Sequence, residues 1–355
     1  MKKKLLLFVL AASGFALTTK AQDTVKTTQD APLVLYGSVD TYYKDDFSGY
    51  KSPGGTSNIP TSFANEQNSI SIGMVDLGLK KTVGNASFVG ELSFGPRNDQ
   101  SIPNSGYHIQ NLYVSYNLSS KLNATAGYMS TFIGYEVISP TGNFNYSTSY
   151  LFTNGPFQNA GFKLTYTFSD KASLMAGIFN DEWNVYTAVH DVSTFGAQLM
   201  LVPVKNWTAY LNVATGPTSG TIFDLTTNYQ ITSAFKLGLN AATFSPAHYG
   251  FGPTTYGYTG VALYPQIAVS KAVTLGLREE YFKTSDKGTD LAGPLPGGSV
   301  VASTLSANIK SGPFTFIPEI RFDSVNSQTY STFVDSNGAP TTSATQFVLA
   351  AVYAF

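Results

Sequence analysis

Runs of alternating apolar and polar residues recur along this chain of 355 residues, and the connections between them come in two lengths that take turns. Alternation with period two puts successive side chains on opposite faces of a β-strand. Read this way, the sequence predicts strands at 32–43, 69–81, from Ala86 onward, then 107–117, 121–132, 159–168, 172–180, 192–202, 206–216, 222–231, 233–244, 256–270, 272–284, 299–310, 313–325 and 344–355. That makes about sixteen strands, within a range of roughly 14 to 18. Tight turns at 82–85, 117–121, 169–171, 204–206, 232–233, 270–271 and 311–312 are expected to alternate strictly with longer loops such as 44–68, 96–106, 133–158, 245–255, 285–298 and 326–343. Such sorting is the signature of an up-and-down barrel that crosses a membrane, whereas a Greek-key sandwich does not sort its connections. The expected fold class is therefore all-β, a transmembrane up-and-down antiparallel β-barrel wide enough for an aqueous channel.

The two faces of the strands differ in kind. In the first run Leu33, Leu35, Gly37 and Val39 oppose Tyr36, Ser38, Asp40 and Tyr42. In the second, Gly73, Val75, Leu77 and Leu79 are expected outward, and Asp76 and Lys80 inward. In-strand charges fall mostly on the polar face: Asp40, Asp76, Lys80, Glu91, Lys163, Asp224, Lys236, Arg278, Glu280, Glu319, Arg321 and Asp323. A Lys or Arg facing lipid at the bilayer midplane costs ~2–4 kcal/mol, so this phasing predicts a water-filled lumen. Seven acids against five bases in that set predict a mixed wall with a mild preference for cations.

The ends suit an exported chain. Lys2, Lys3 and Lys4 precede an apolar run at 5–17, and Thr19, Lys20 and Ala21 offer a cleavage site, so 1–21 reads as a secretory signal peptide. The run is shorter than the ~20 residues that span a bilayer as a helix. Residues 22–31 form a polar periplasmic lead, and 32–355 a single barrel domain. The absence of cysteine excludes disulfides, thiolate metal sites and a lipid-anchored Cys. Without the four leader lysines, 17 basic residues face 22 acidic ones, which argues against nucleic acid as a partner. At the far end, Phe347, Leu349, Ala351, Tyr353 and Phe355 share one face, and the smaller Val348, Ala350, Val352 and Ala354 the other. A last strand ending on Phe355, with Tyr353 two residues earlier, resembles the terminal signal by which bacterial outer-membrane barrels are recognised for assembly. It must also pair with the first strand, because an open edge in the bilayer leaves backbone groups unsatisfied.

Several stretches carry a family resemblance: F-I-G-Y-E-V-I-S-P at 132–140, N-Y-S-T-S-Y-L-F at 145–152, G-P-F-Q-N-A-G at 155–161, T-Y-T-F-S-D at 165–170, L-R-E-E-Y-F at 277–282 and I-P-E-I-R-F-D at 317–323. From about Leu33 to the C-terminus the chain resembles the β-barrel porin-2, or OmpL-like, family. The resemblance implies porin-like passage of small hydrophilic solutes across the outer membrane of a Gram-negative bacterium, and no particular solute. The partners expected are outer-membrane lipid, the barrel-assembly machinery and the solutes themselves, with a homo-oligomer compatible with the apolar exterior. No cofactor, metal or catalytic residue is expected.

The candidate constriction is the long loop 133–158, which is rich in aromatics and has Glu136 as its single charge. Loops of that length without secondary structure are uncommon unless functional. It is expected to fold into the barrel, with Glu136 facing Arg278 or Arg321 across the pore. The remaining pore-lining candidates are Asp40, Glu91, Lys163, Lys236, Glu280, Glu319 and Asp323. Two competing readings are weighed against a pore: a barrel hydrolase using His108, His190 or His248, and a non-conducting structural or adhesion barrel. No G-x-S-x-G or H-E-x-x-H motif is present, and Glu279 and Glu280, as neighbours in a strand, point to opposite faces. Replacing Phe355 with Glu is expected to impair outer-membrane assembly while export continues. Normal amounts of heat-modifiable, membrane-inserted variant would contradict this.

Overall fold

The computed structural model describes residues 31–247, 257–286 and 291–355. The expected signal peptide, all but the last residue of the lead, and His248 lie outside the described residues. Within them the chain forms β1 (Val34–Asp46), β2 (Ser69–Val83), β3 (Ala86–Phe94), β4 (Ile109–Asn117), β5 (Leu122–Ser130), β6 (Gln158–Ser169), β7 (Ala172–Phe179) and β8 (Thr194–Leu201). There follow β9 (Trp207–Gly216), β10 (Gly220–Gln230), β11 (Phe235–Ser245), β12 (Tyr258–Ala268), β13 (Val273–Thr284), β14 (Ser299–Ser311), β15 (Phe314–Val325), a small hairpin of β16 (Phe333–Val334) and β17 (Pro340–Thr341), and finally β18 (Ser343–Ala354). The first fifteen strands and β18 close into one antiparallel barrel of sixteen strands, each beside its sequence neighbour.

Closure rests on the terminal strand. The register between β1 and β18 runs from Ser38 opposite Ala354 to Asp46 opposite Gln346. Beyond it, Gly37 and Phe355 exchange backbone hydrogen bonds of 3.2 and 3.1 Å. No ladder edge is left for lipid, as the bilayer requires. Leu35, Val39, Leu77, Phe223, Leu305 and Leu349 stand exposed on the outside. Near the short-turn end, Trp207 stacks on Tyr229 at 5.4 Å and Phe314 meets Tyr353 edge-on at 5.0 Å. Aromatic rings at that level are the girdle of a membrane barrel.

Three expectations need correcting. The alternation of connections is not strict: β9 and β10 are joined on the long-loop side by residues 217–219 alone. Pro217 and the positive φ of Gly220, 73°, make that tight turn. The first strand reaches Asp46, so Lys44 belongs to the inner face and is buried rather than starting a loop. Gly73 is also not outward. The pairing of β1 with β2 slips between Val39 and Thr41, and at that bulge Gly73 turns toward Asp40. A Cβ there would lie 1.8 Å from Asp40 Oδ2. Gly73→Val should therefore displace the Asp40 carboxylate at a cost of about 1–3 kcal/mol, lowering by several degrees the temperature at which the folded band converts in heat-modifiability gels.

Candidate functional site

Strands use their backbone groups on their neighbours, so only side chains reach into a barrel. On β13 the inward row reads Gly276, Arg278, Glu280, and on β15 Glu319, Arg321, Asp323, all buried. What buries them is the third long loop, 131–157. Gly134 N donates to Asp224 of β10 at 3.0 Å, while Ser139 Oγ donates to Asp76 of β2 at 2.9 Å. In the barrel order β2 and β10 are eight strands apart in either direction, so the loop runs between opposite walls.

Its return leg, 144–151, is held through its backbone. Asn308 donates to Phe144 O at 2.8 Å. Tyr146 N and Ser147 N donate to the Glu319 carboxylate at 2.9 and 3.2 Å. Arg278 donates to Ser147 O at 2.6 Å and Arg321 to Thr148 O at 2.7 Å. Ser149 N donates to Glu136 at 2.8 Å, and Tyr150 N and Leu151 N to Glu280 at 2.9 and 2.8 Å. The wall carboxylates Glu280 and Glu319 each accept two N–H groups, and Arg278 and Arg321 each donate to a carbonyl of this leg. Ser149 then caps the single helical turn Tyr150–Thr153 by accepting from Phe152 N at 3.0 Å.

Side chains lock the same register. The Tyr150 hydroxyl donates to Asp323 at 2.7 Å, and the Tyr146 hydroxyl to Asp40. Glu136 pairs with Arg278 at 2.9 Å and accepts from Tyr264 at 3.1 Å. Arg321 is paired with Asp323 at 2.7 Å. Inward glycines leave room for rings: a Cβ on Gly238 would lie 2.1 Å from the Tyr135 hydroxyl, and one on Gly276 2.2 Å from the Phe144 ring. The small inward residues Val348, Ala350 and Val352 of β18 pack with Tyr42, Ile317 and Tyr146. That explains why the last strand is apolar on both faces.

The sequence-predicted residues thus divide. Arg278, Glu280, Glu319, Arg321 and Asp323 face inward but are at most 2% exposed, so as pore-lining groups they are corrected: the loop covers them. Glu136 does not look across a gap, since it touches Arg278 directly. Asp40 lies under Tyr146, and its other oxygen accepts from Met74 N at 2.9 Å. Glu91 accepts from Asn111 at 2.8 Å and borders a cavity of ≈ 670 Å³ that Lys80 and Lys163 also line. Lys236 lines a second cavity of ≈ 510 Å³, with Lys310, Asn143 and Phe144. Sequence reasoning missed Lys44, whose ammonium donates to Ser57 at 2.9 Å, and Arg97. Arg97 sits on a short helical turn, Pro96–Asp99, donates to Ile138 O and Tyr146 O at 3.1 and 3.3 Å, and stacks on Phe63 and Tyr146. Continued period two could have found Lys44; nothing local marks Arg97.

The histidines lie apart. The His190 ring is 3.0 Å from Asp181, whose carboxylate also accepts from the backbone of Val189 and His190 in the loop 180–193. Burial pushes the Asp181 carboxyl up, but these donors outweigh it and hold it below the usual carboxylate range. The His108 ring packs against Phe94 at 4.6 Å, tilted by 33°. Each makes contacts of the kind that fix a loop.

A closed sixteen-stranded antiparallel barrel, apolar outside, polar inside and crossed by its third long loop, is the architecture of a membrane pore protein. The chain belongs to the family described as "Putative beta-barrel porin-2, OmpL-like", whose model matches residues 32–355. Among solved structures it is similar to the outer membrane channel DcaP of Acinetobacter baumannii, at 13% identity and TM-score 0.62, covering 93% of this chain and 99% of that one. It is also similar to OprB of Pseudomonas putida, at 9% identity and TM-score 0.59, covering 91% and 94%. The anion-selective porin from Comamonas acidovorans matches at 14% identity and TM-score 0.58, covering 91% and 99%. At these identities the likeness is one of fold. No curated protein matches significantly.

Removing one partner of a buried ion pair typically costs about 3–5 kcal/mol. Arg278→Ala should therefore release the return leg of the loop without opening the barrel. Limited proteolysis is expected to cut within 131–157 in the variant and not in the wild type, while both remain heat-modifiable.

Proposed function

We propose that this protein is an outer-membrane porin through which small hydrophilic solutes diffuse passively, with the third long loop as its constriction. The observation that carries this reading is the loop's attachment to walls eight strands apart, on Asp224 and Asp76, in a barrel that keeps cavities of ≈ 670 and ≈ 510 Å³ lined in part by polar side chains. Cavities lined by Asn111, Ser115, Asn123 and Thr125 on one side, and by Asn228, Gln266, Thr274 and Asn308 on the other, suit hydrated solutes. A loop fixed by its own backbone bonds keeps a constant aperture, which is what sieving by size requires. No covalent step is proposed.

In this reading residues 1–21 direct export and are removed, and the barrel is delivered to the outer membrane by the assembly machinery through Phe355 and Tyr353. Lipid meets the apolar exterior, part of which is also available to further copies of the chain.

In a planar bilayer the purified protein should give discrete conductance steps, and deletion of 141–153 should enlarge them. Equal steps would remove the loop from the constriction. Membrane insertion without steps would favour the non-conducting barrel.

A further inference from the structure

Once the loop is in place, acids and bases part company inside the barrel. The eight inward strand acids, Asp40, Asp46, Asp76, Glu91, Asp224, Glu280, Glu319 and Asp323, are at most 9% exposed. Each accepts hydrogen bonds from the wall or the loop, such as Asn212 to Asp224 at 2.7 Å and Ser38 to Asp76 at 3.1 Å. The two arginines of β13 and β15 are equally covered. The inward cations left against the cavities are Lys80, Lys163, Lys236 and Lys310. Among the described residues none of these four has a hydrogen-bond or ion-pair partner. Their strands, β2, β6, β11 and β14, are spaced by four, five, three and four places around the sixteen-strand circumference. Lys80, Lys236 and Lys310 also lie within a few residues of the short turns, toward the periplasmic mouth of the proposed pore.

Resting on the reading of the protein as a channel, we propose that these four lysines form a positive ring below the loop that makes the pore select small anions. Inward bases and acids are nearly balanced in number, so the preference comes from position. An ion entering at the short-turn end passes the unpaired ammonium groups of the exposed Lys80 and Lys310 and the half-buried Lys163 and Lys236, whereas the carboxylates are covered and hydrogen-bonded. Glu91 is the one acid bordering the same space; it is 9% exposed, and Asn111 and Tyr36 both donate to its Oε2. The mild cation preference expected from counting inward charges is thereby reversed, because the count took covered and open groups as equal.

The test is the reversal potential of the folded protein in a planar bilayer under a KCl gradient. The wild type is expected to pass chloride several-fold better than potassium at 0.1 M salt. The preference should fade toward 1 M, as the screening length drops from about 10 Å to about 3 Å. The quadruple variant K80Q/K163Q/K236Q/K310Q should bring the permeability ratio close to one. The single variants K236Q and K310Q should each lower it, which keeps the test informative if the quadruple variant does not fold. Conductance with a ratio at or below one in the wild type, or a ratio unchanged in the folded variants, overturns the lysine ring and leaves the channel standing. No conductance from folded, inserted protein overturns the channel itself and the ring with it.

Discussion

A backbone N–H or C=O inside a bilayer has no water to turn to, and every other feature of this molecule follows from where those groups find partners. In the wall the partners are neighbouring strands, and the ladder is complete only because β18 returns to β1. In the bore the same demand arises again. Residues 144–151 are irregular backbone at the level of the strands, tolerated because protein rather than lipid surrounds them. The wall cannot offer them its own backbone, which the ladder has already taken. It offers side chains instead, and the strongest available are charged: one carboxylate accepts two consecutive N–H groups, and one guanidinium donates to a carbonyl with hydrogens to spare.

This explains the composition of two strands that otherwise look like an ion path. Glu280 takes Tyr150 N and Leu151 N, and Glu319 takes Tyr146 N and Ser147 N; between them Arg278 and Arg321 take the carbonyls of Ser147 and Thr148. Acid and base alternate along the wall because donor and acceptor alternate along the loop. Burying such groups is unfavourable unless each is paired or hydrogen-bonded, and here Arg278 pairs with Glu136 and Arg321 with Asp323, while Glu280 and Glu319 each accept two N–H groups of the loop. The loop is thus fixed by many partners, none of which works with a different register.

The barrel was legible in the sequence because lipid on one side and water or protein on the other impose a period of two that no local motif can hide. Strand number, closure and the inward phase of the charges all follow from it. Errors arose where a local rule was overridden. Lys44 follows a tyrosine pair and precedes a Gly/Pro/Ser-rich stretch, yet ladder pairing carries β1 on to Asp46. Gly73 was phased outward by counting in twos through a bulge that no residue announces. Residues 217–219 form a tight turn where alternation predicts a long loop, and Pro217 with Gly220 was a readable hint. Arg97 lay beyond reach, since its partners at 138 and 146 come from a loop about forty residues away.

What the period could not tell is whether an inward charge meets water or another piece of chain, and here the neighbours of the charge decide. Gly276 precedes Arg278 and Glu280 on the same face, and the space it leaves is taken by Phe144. Gly238 likewise receives Tyr135, and Gly260, whose Cβ would lie 2.9 Å from Leu151, receives the end of the same leg. An inward glycine is a vacancy in the inner surface, and in hydrated wall it would have no use. Gly78, two residues before Lys80, is instead filled by Tyr36 from the adjacent strand, so the wall there stays closed and the lysine stays in the open.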